Sequence, residues 1–131
     1  MPIQTVTGPI KPSELGITMM HEHTFVDLWE WGGRKGYDAI VDDEAKLVEE
    51  LGCYRTAGGA ALVNVTNIGI GRNPAGLRRL SEATGLQIIM GCAWYRENTY
   101  PHYIQELTAN ALADMIVEEF RDGVDETGVR P

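Results

Sequence analysis

Short apolar segments alternate with longer stretches of helical spacing along this chain, and this alternation constrains the fold more than any other feature. The apolar segments are residues 17–20, 60–65 and 86–92. Each is short for a helix and is followed by apolar residues that recur every three or four positions. Strands that alternate with helices predict parallel strands joined by right-handed crossovers. We therefore expect an α/β fold.

The three predicted helices have recognisable apolar faces, beginnings and ends. Their apolar residues are Leu47, Val48, Leu51 and Tyr54 in the first, Leu77, Leu80 and Ala83 in the second, and Leu112, Met115, Ile116 and Phe120 in the third. The residues suited to cap their starts are Asp42 or Asp43, Asn73 with Pro74 after it, and Thr108. Glycines at positions 58, 59, 85 and 123 end them.

The size of the chain limits what these units can build. Residues 1–16 predict a short β-turn-β cover over one end of the sheet, because Gly8-Pro9 separates two short β-prone segments. Three parallel strands with helices on one face leave an open edge, and a closed (β/α)8 barrel takes about 250 residues. We expect residues 1–131 to form a single domain that is the first part of a larger barrel.

The first apolar segment, residues 17–20, predicts a buried strand, and it is followed by His21, Glu22 and His23. Side chains alternate along a strand, so the two histidines are expected on one side, about 6.6 Å apart, with Glu22 on the other. The carboxyl ends of parallel strands are where ligands and catalytic groups collect. The pattern predicts a shared metal ion, and the alternative is a polar strand end without a ligand.

Aromatic and glycine residues follow the other two strands. Trp94 and Tyr95 end the third apolar segment, where they either form an aromatic wall for an ester, lactone or aryl leaving group or simply cover the core. Gly69 and Gly71 precede a helix start and resemble a phosphate-binding loop. Two glycines are a weak pattern, and we favour a plain tight turn.

The charge and composition of the chain exclude several classes of partner. The net charge is −8, from 19 acidic and 11 basic residues, which disfavours nucleic acid and anionic lipid as partners.

The first 16 residues lack a signal peptide's apolar segment, and no run is long enough to span a membrane, so we expect a cytoplasmic protein. Cys53 and Cys92 form no Cys-x-x-Cys pair, and both are expected to be small buried side chains.

Six motifs follow one another along nearly the whole chain. They are TVTGPI at 5–10, ELG at 14–16, His21-Glu22-His23 with Asp27, VTNIGIGR at 65–72, GCAWY at 91–95 and GVDETG at 123–128. In this order and spacing they resemble the N-terminal part of the phosphotriesterase-like family of the amidohydrolase superfamily. The resemblance implies a metal-dependent (β/α)8 barrel.

The resemblance also implies a particular reaction and site. It makes His21 and His23 ligands of the more buried of two divalent ions, typically zinc, and makes Trp94 and Tyr95 substrate contacts. A hydroxide that bridges the ions would attack a small-molecule carboxylic ester, lactone or phosphotriester. The family's remaining ligands, a carboxylated lysine or glutamate, two histidines and an aspartate, follow later strands beyond Pro131.

The chain by itself therefore holds an incomplete site. It has no catalytic residue beyond the two ligands, and we expect the 131 residues alone to be inactive, because a catalytic zinc site needs at least three protein ligands. A homodimer is common in the family. Two alternatives stay open: a non-catalytic binding or assembly module derived from the same fold, and a metal-free barrel enzyme.

Overall fold

The computed structural model describes residues 1–28 and 40–131. The strands are β1 (Ile3–Thr5), β2 (Gly8–Ile10), β3 (Thr18–Glu22), β4 (Val26–Asp27), β5 (Ile40–Val41), β6 (Ala61–Asn64) and β7 (Gln87–Met90). The α-helices are α1 (Glu44–Thr56), α2 (Pro74–Thr84) and α3 (Ala109–Asp122). Short 3-10 helices cover Pro12–Glu14, Glu97–Thr99 and His102–Gln105. In the described ranges, no helix has both the length and the apolar character to cross a bilayer.

The central sheet has three parallel strands in the order β3, β6, β7. Met19 on β3 is level with Leu62 on β6, which is level with Ile88 on β7. The register of β3 against β6 shifts between Met19 and Glu22. Because the strands are parallel, their carboxyl ends meet at one edge of the sheet, as the alternation of strands and helices predicts.

One face of this sheet is covered by helices. Leu51 of α1 and Leu77 and Leu80 of α2 pack into one core cluster with Leu62 and Ile88 of the sheet. Burying one such leucine stabilises the fold by about 1.5–3 kcal/mol. This cluster fixes the sheet and thereby the edge at which its strands end.

The N-terminal residues form the expected cover. Strands β1 and β2 pair antiparallel, with Ile3 opposite Ile10. The N–H of Val6 donates to the carbonyl of Ile88 over 2.9 Å, and the Val6 side chain is buried in the core. The hairpin is therefore attached to β7 through both a backbone hydrogen bond and apolar packing.

The helix boundaries follow the predicted capping residues. Asn73 accepts a hydrogen bond from the N–H of Gly76 over 2.9 Å, and Pro74 occupies the first position of α2. Gly85 ends α2 in the left-handed conformation, with φ of 71°. Asp43 and Thr108 cap α1 and α3 by the same kind of bond. Local chemistry alone thus sets these boundaries.

Replacement of Asn73 by alanine is expected to lower the free energy of unfolding by about 1 kcal/mol, because a cap on an otherwise unpaired helix N–H is lost. Asn73→Ser, which keeps an acceptor oxygen, should restore most of this. Urea denaturation measures the change. Asn110→Ala, at an exposed position in the first turn of α3, is the matched control. Equal effects at the two positions would contradict the capping role.

Two expectations about burial are wrong. Residues 17–20 were expected to be a buried strand, but Ile17 and Met20 are 67% and 68% exposed. Strand β3 lies at the edge of the sheet and changes register beside Met20, so Met19 packs against the core while Met20 does not. Cys53 is exposed and Cys92 is partly buried. Cys53 falls outside the stripe of α1 that faces the sheet.

A short antiparallel ribbon that the sequence did not predict follows the histidines. Val26 pairs with Val41 in a two-stranded antiparallel ribbon formed by β4 and β5. Strands of two residues are too short to show an alternating pattern in the sequence. The glycines and tryptophans of residues 28–37 predict a loop at the rim of the sheet, and all of it except Leu28 lies outside the described residues.

Candidate functional site

The imidazole rings of His21 and His23 lie side by side at the end of β3. Their centroids are 5.5 Å apart, and the ring planes meet at 62°. The alternation of side chains along a strand predicts this placement. Glu22 is level with Asn64 of β6 in the sheet register. The strand therefore presents two neighbouring imidazoles at the edge where the strands end.

The ring of His23 is held by a residue from the next strand unit. Its Nδ1 lies 2.9 Å from Oγ1 of Thr66, which is 43 positions away in the sequence. Thr66 follows β6 and is fully buried. Sequence reasoning missed this partner, although a polar residue directly after an apolar strand was a usable signal. With Nδ1 engaged, Nε2 is the nitrogen left for a ligand.

The surroundings of His23 favour its neutral form. Burial penalises the imidazolium and lowers the pKa of His23 below its ordinary value, and the nearby charge of His21 lowers it further. The carboxylate of Glu22 opposes this shift. A neutral imidazole has a free lone pair, which is the form that binds metal ions.

A second polar contact fixes the chain after His23. The side-chain oxygen of Asn64 accepts from both the N–H and the hydroxyl of Thr24, each over 2.9 Å. Both residues are buried. Since hydrogen bonds to buried groups are costly to break, this contact ties the end of β3 to β6. The histidine pair is therefore anchored on a rigid part of the sheet.

A cavity of about 260 Å³ opens beside the pair and is lined by His23, Val26, Leu28, Ile70 and Tyr95. Its walls are apolar or aromatic apart from the imidazole. The guanidinium of Arg96 lies 5.7 Å from the centre of the Tyr95 ring. Apolar walls around a few polar groups are typical of small-molecule sites. Residues far apart in the sequence thus meet at one cavity.

The two aromatic residues predicted to contact substrate take different places. Tyr95 lines the cavity with His23. The indole N–H of Trp94 donates to the hydroxyl of Tyr103 over 3.0 Å, and the two rings pack edge to face. Tyr103 was not among the predicted site residues. The structure brings Tyr95 to the histidines and sets Trp94 against the segment that follows β7.

The glycines after β6 form the tight turn that we favoured. Gly69 and Gly71 have φ of 92° and 91°. The carbonyl of Ile70, between them, accepts from the N–H of Asp27 over 2.9 Å. A side chain at Gly71 would place its Cβ 2.7 Å from that nitrogen. The turn therefore needs glycine both for its conformation and for its close approach to β4.

The histidine pair fits part of a metal site. Two imidazole rings lie together, and one of them has its second nitrogen hydrogen-bonded, as metal-binding histidines usually do. Among residues 1–28 and 40–131, no group of three or more histidine, cysteine, aspartate or glutamate side chains is placed to hold an ion. The described residues thus contribute two candidate metal ligands, His21 and His23.

Comparison with known proteins identifies the family. A sequence model of the phosphotriesterase family matches residues 1–131. The chain belongs to the phosphotriesterase family. This agrees with the resemblance carried by the six motifs.

Individual known proteins match almost the whole chain. An N-acetyltaurine hydrolase of Danio rerio is 32% identical and aligns with 98% of this chain and 45% of its own length. A resiniferatoxin-binding protein from Rhodobacter sphaeroides superposes with a TM-score of 0.90 at 32% identity, over 98% of this chain and 44% of that one. A mutant of a phosphotriesterase-like lactonase from Deinococcus radiodurans gives a TM-score of 0.80 at 31% identity, over 98% and 42%.

The chain spans less than half the length of these relatives. Its three βα units and the N-terminal hairpin correspond to the N-terminal portion of the (β/α)8 barrel of the family, as expected from the sequence. The edge at which His21 and His23 lie is the carboxyl end of the barrel strands. This is the end where barrel enzymes carry their active sites.

Proposed function

We propose that this chain supplies the N-terminal part of a metal-dependent hydrolase that cleaves a small-molecule carboxylic ester, lactone or phosphotriester. The observation that carries the proposal is the His21–His23 pair at the carboxyl end of the sheet, beside a cavity that contains His23 and Tyr95. Relatives named as an N-acetyltaurine hydrolase and as a lactonase support a hydrolase.

In this proposal His21 and His23 each give one imidazole nitrogen to a divalent ion, with zinc as the first candidate and a second ion alongside it. When bound, such ions polarise the substrate's oxygen and lower the pKa of a bound water. The remaining ligands come from later strands of the barrel. Thr66 holds the imidazole of His23 in place while that imidazole binds the ion.

The cavity residues position the substrate. Val26, Leu28 and Ile70 form an apolar wall that takes the acyl or leaving group and excludes water from it. Tyr95 adds an aromatic face to the same cavity, with the guanidinium of Arg96 5.7 Å from the centre of its ring. Trp94 contributes less directly, because its indole is hydrogen-bonded to Tyr103 and supports the segment that carries Tyr95.

A second candidate is a binding or assembly module without catalysis. It is favoured by the similarity to a resiniferatoxin-binding protein. In this case the cavity beside Tyr95 takes an apolar ligand, and the chain covers its open sheet edge with a second copy. A defined homodimer that binds ligand without turnover would distinguish it from the hydrolase.

Chelation of the full-length protein tests the choice. We expect turnover of at least one substrate from a panel of an aryl carboxylic ester, a lactone and a phosphotriester. Turnover of N-acetyltaurine alone would instead show a hydrolase of amides. Turnover should be lost after treatment with a chelator and return when zinc or another divalent ion is restored, because bound ions would polarise the substrate's oxygen and activate the attacking water.

The other outcomes of this assay separate the alternatives. Turnover that survives complete removal of metal ions would favour the metal-free barrel enzyme. Ligand binding without turnover of any substrate, with metal present, would favour the binding module.

A further inference from the structure

The hydroxyl of Thr66 is placed to control the state of the His23 ring. Oγ1 of Thr66 lies 2.9 Å from Nδ1 of His23, and the threonine side chain is fully buried. Position 66 lies two residues beyond β6, and the Thr24–Asn64 contact joins the end of β6 to the segment that follows β3. The hydroxyl is therefore held by the sheet, and His23 must adapt to it rather than the reverse.

A threonine hydroxyl can form a hydrogen bond with Nδ1 whether or not that nitrogen carries a proton. It can donate to a bare Nδ1, which puts the ring proton on Nε2, or it can accept from a protonated Nδ1, which leaves Nε2 bare. Only the second arrangement lets Nε2 bind an ion. Metal-binding histidines usually donate their other N–H to an oxygen, which fixes both tautomer and ring orientation.

We propose that Thr66 is a positioning residue that accepts the Nδ1–H of His23 and so directs a bare Nε2 into the metal site. This inference rests on the proposed function. Unlike the carboxylate partners found in many metal sites, a hydroxyl is neutral. It orients the imidazole without adding negative charge beside the ion.

Thr66 also links two βα units at the site. The histidine comes from β3 and the hydroxyl from the segment after β6, so the ligand's orientation depends on the parallel pairing of these strands. The contact does not involve residues beyond 131. The orientation of His23 is therefore set within this chain, before the later ligands of the family's barrel are considered.

The test compares Thr66→Val, Thr66→Ser and His23→Ala in the full-length protein by zinc titration. Valine has nearly the shape of threonine but offers no oxygen, so we expect zinc affinity to fall about 10–100-fold. Serine keeps the hydroxyl and should restore the affinity to near that of the unaltered protein. Thr5→Val, at a fully buried threonine of the N-terminal hairpin, is the matched control for loss of a buried hydroxyl.

Nitrogen-15 NMR of the imidazole supplies a readout that a purely structural role would not move. At about pH 8, where histidine is neutral, the His23 ring of the metal-free unaltered protein should show the tautomer with the proton on Nδ1. In Thr66→Val the ring should show a mixture of tautomers in the metal-free protein. An unchanged tautomer and unchanged zinc affinity in this variant would overturn the proposal.

The same titration distinguishes an error in the assignment of His23 as a metal ligand from an error in the role of Thr66. If His23→Ala weakens zinc binding while Thr66→Val does not, the metal site stands and the role of Thr66 is wrong. If His23→Ala binds zinc as well as the unaltered protein does, both the ligand assignment and the role of Thr66 are overturned.

Discussion

Replacement of either His21 or His23 by alanine is expected to lower the metal content of the full-length protein and to reduce hydrolysis by more than about 100-fold. Loss of a residue that merely orients a ligand typically costs 10–100-fold in metal affinity or activity, and loss of the ligand itself should cost more. Among the described residues, no third histidine, cysteine, aspartate or glutamate is placed with this pair to replace a lost ligand.

Metal analysis after exhaustive dialysis, followed by the hydrolysis assay, measures both effects. His102→Ala is the matched control, because the third histidine of the chain is exposed and lies in the short 3-10 helix His102–Gln105. It should keep full metal content and activity. Equal metal in His21→Ala, His23→Ala and the unaltered protein would refute the assignment of these two residues as ligands.

The elements of the fold could be predicted because their signals are local. Asn73, Pro74 and Gly85 act within one helix, and each does so at the predicted position. Alternation along β3 likewise places His21 and His23 together from their spacing alone. In each case the interacting groups are within a few residues of one another, so the sequence contains the whole interaction.

The contacts that complete the site could not be predicted in this way. Thr66 reaches His23 across 43 positions, and their meeting depends on the pairing of two strands. Trp94 and Tyr95 are adjacent, so their side chains diverge, and the sequence could not tell which one faces the cavity. Such contacts require the register of the sheet, which no short window of sequence contains.

The ion pair between Arg72 and Glu119 is another contact between residues that are far apart in the sequence. Arg72 lies between the turn after β6 and the start of α2, and Glu119 lies on α3, 47 positions later. The guanidinium donates two parallel hydrogen bonds to the carboxylate, of 2.8 and 2.7 Å. The side chains are only 5% and 16% exposed. This pair joins the turn after β6 to α3, beside a cavity of about 340 Å³.

Replacement of Arg72 by methionine is expected to lower the free energy of unfolding by about 3 kcal/mol. Removal of one partner leaves the Glu119 carboxylate largely buried without its counter-charge, and breaking such a pair typically costs about 3–5 kcal/mol. The lower end applies because part of Glu119 reaches solvent, where it can be hydrated. Urea denaturation of the variant and of the unaltered protein measures the difference.

The double variant Arg72→Met with Glu119→Leu should recover much of this loss, because an apolar pair of similar volume leaves no buried charge. The exposed pair Arg79–Glu44 is the matched control. Its guanidinium also donates two hydrogen bonds to one carboxylate, through Nε and one terminal nitrogen, but its side chains are 54% and 39% exposed. Arg79→Met should change stability far less, since solvent screens surface ion pairs. If the two single variants lose equal stability, or if the double variant recovers none, burial is not what makes the Arg72 pair important.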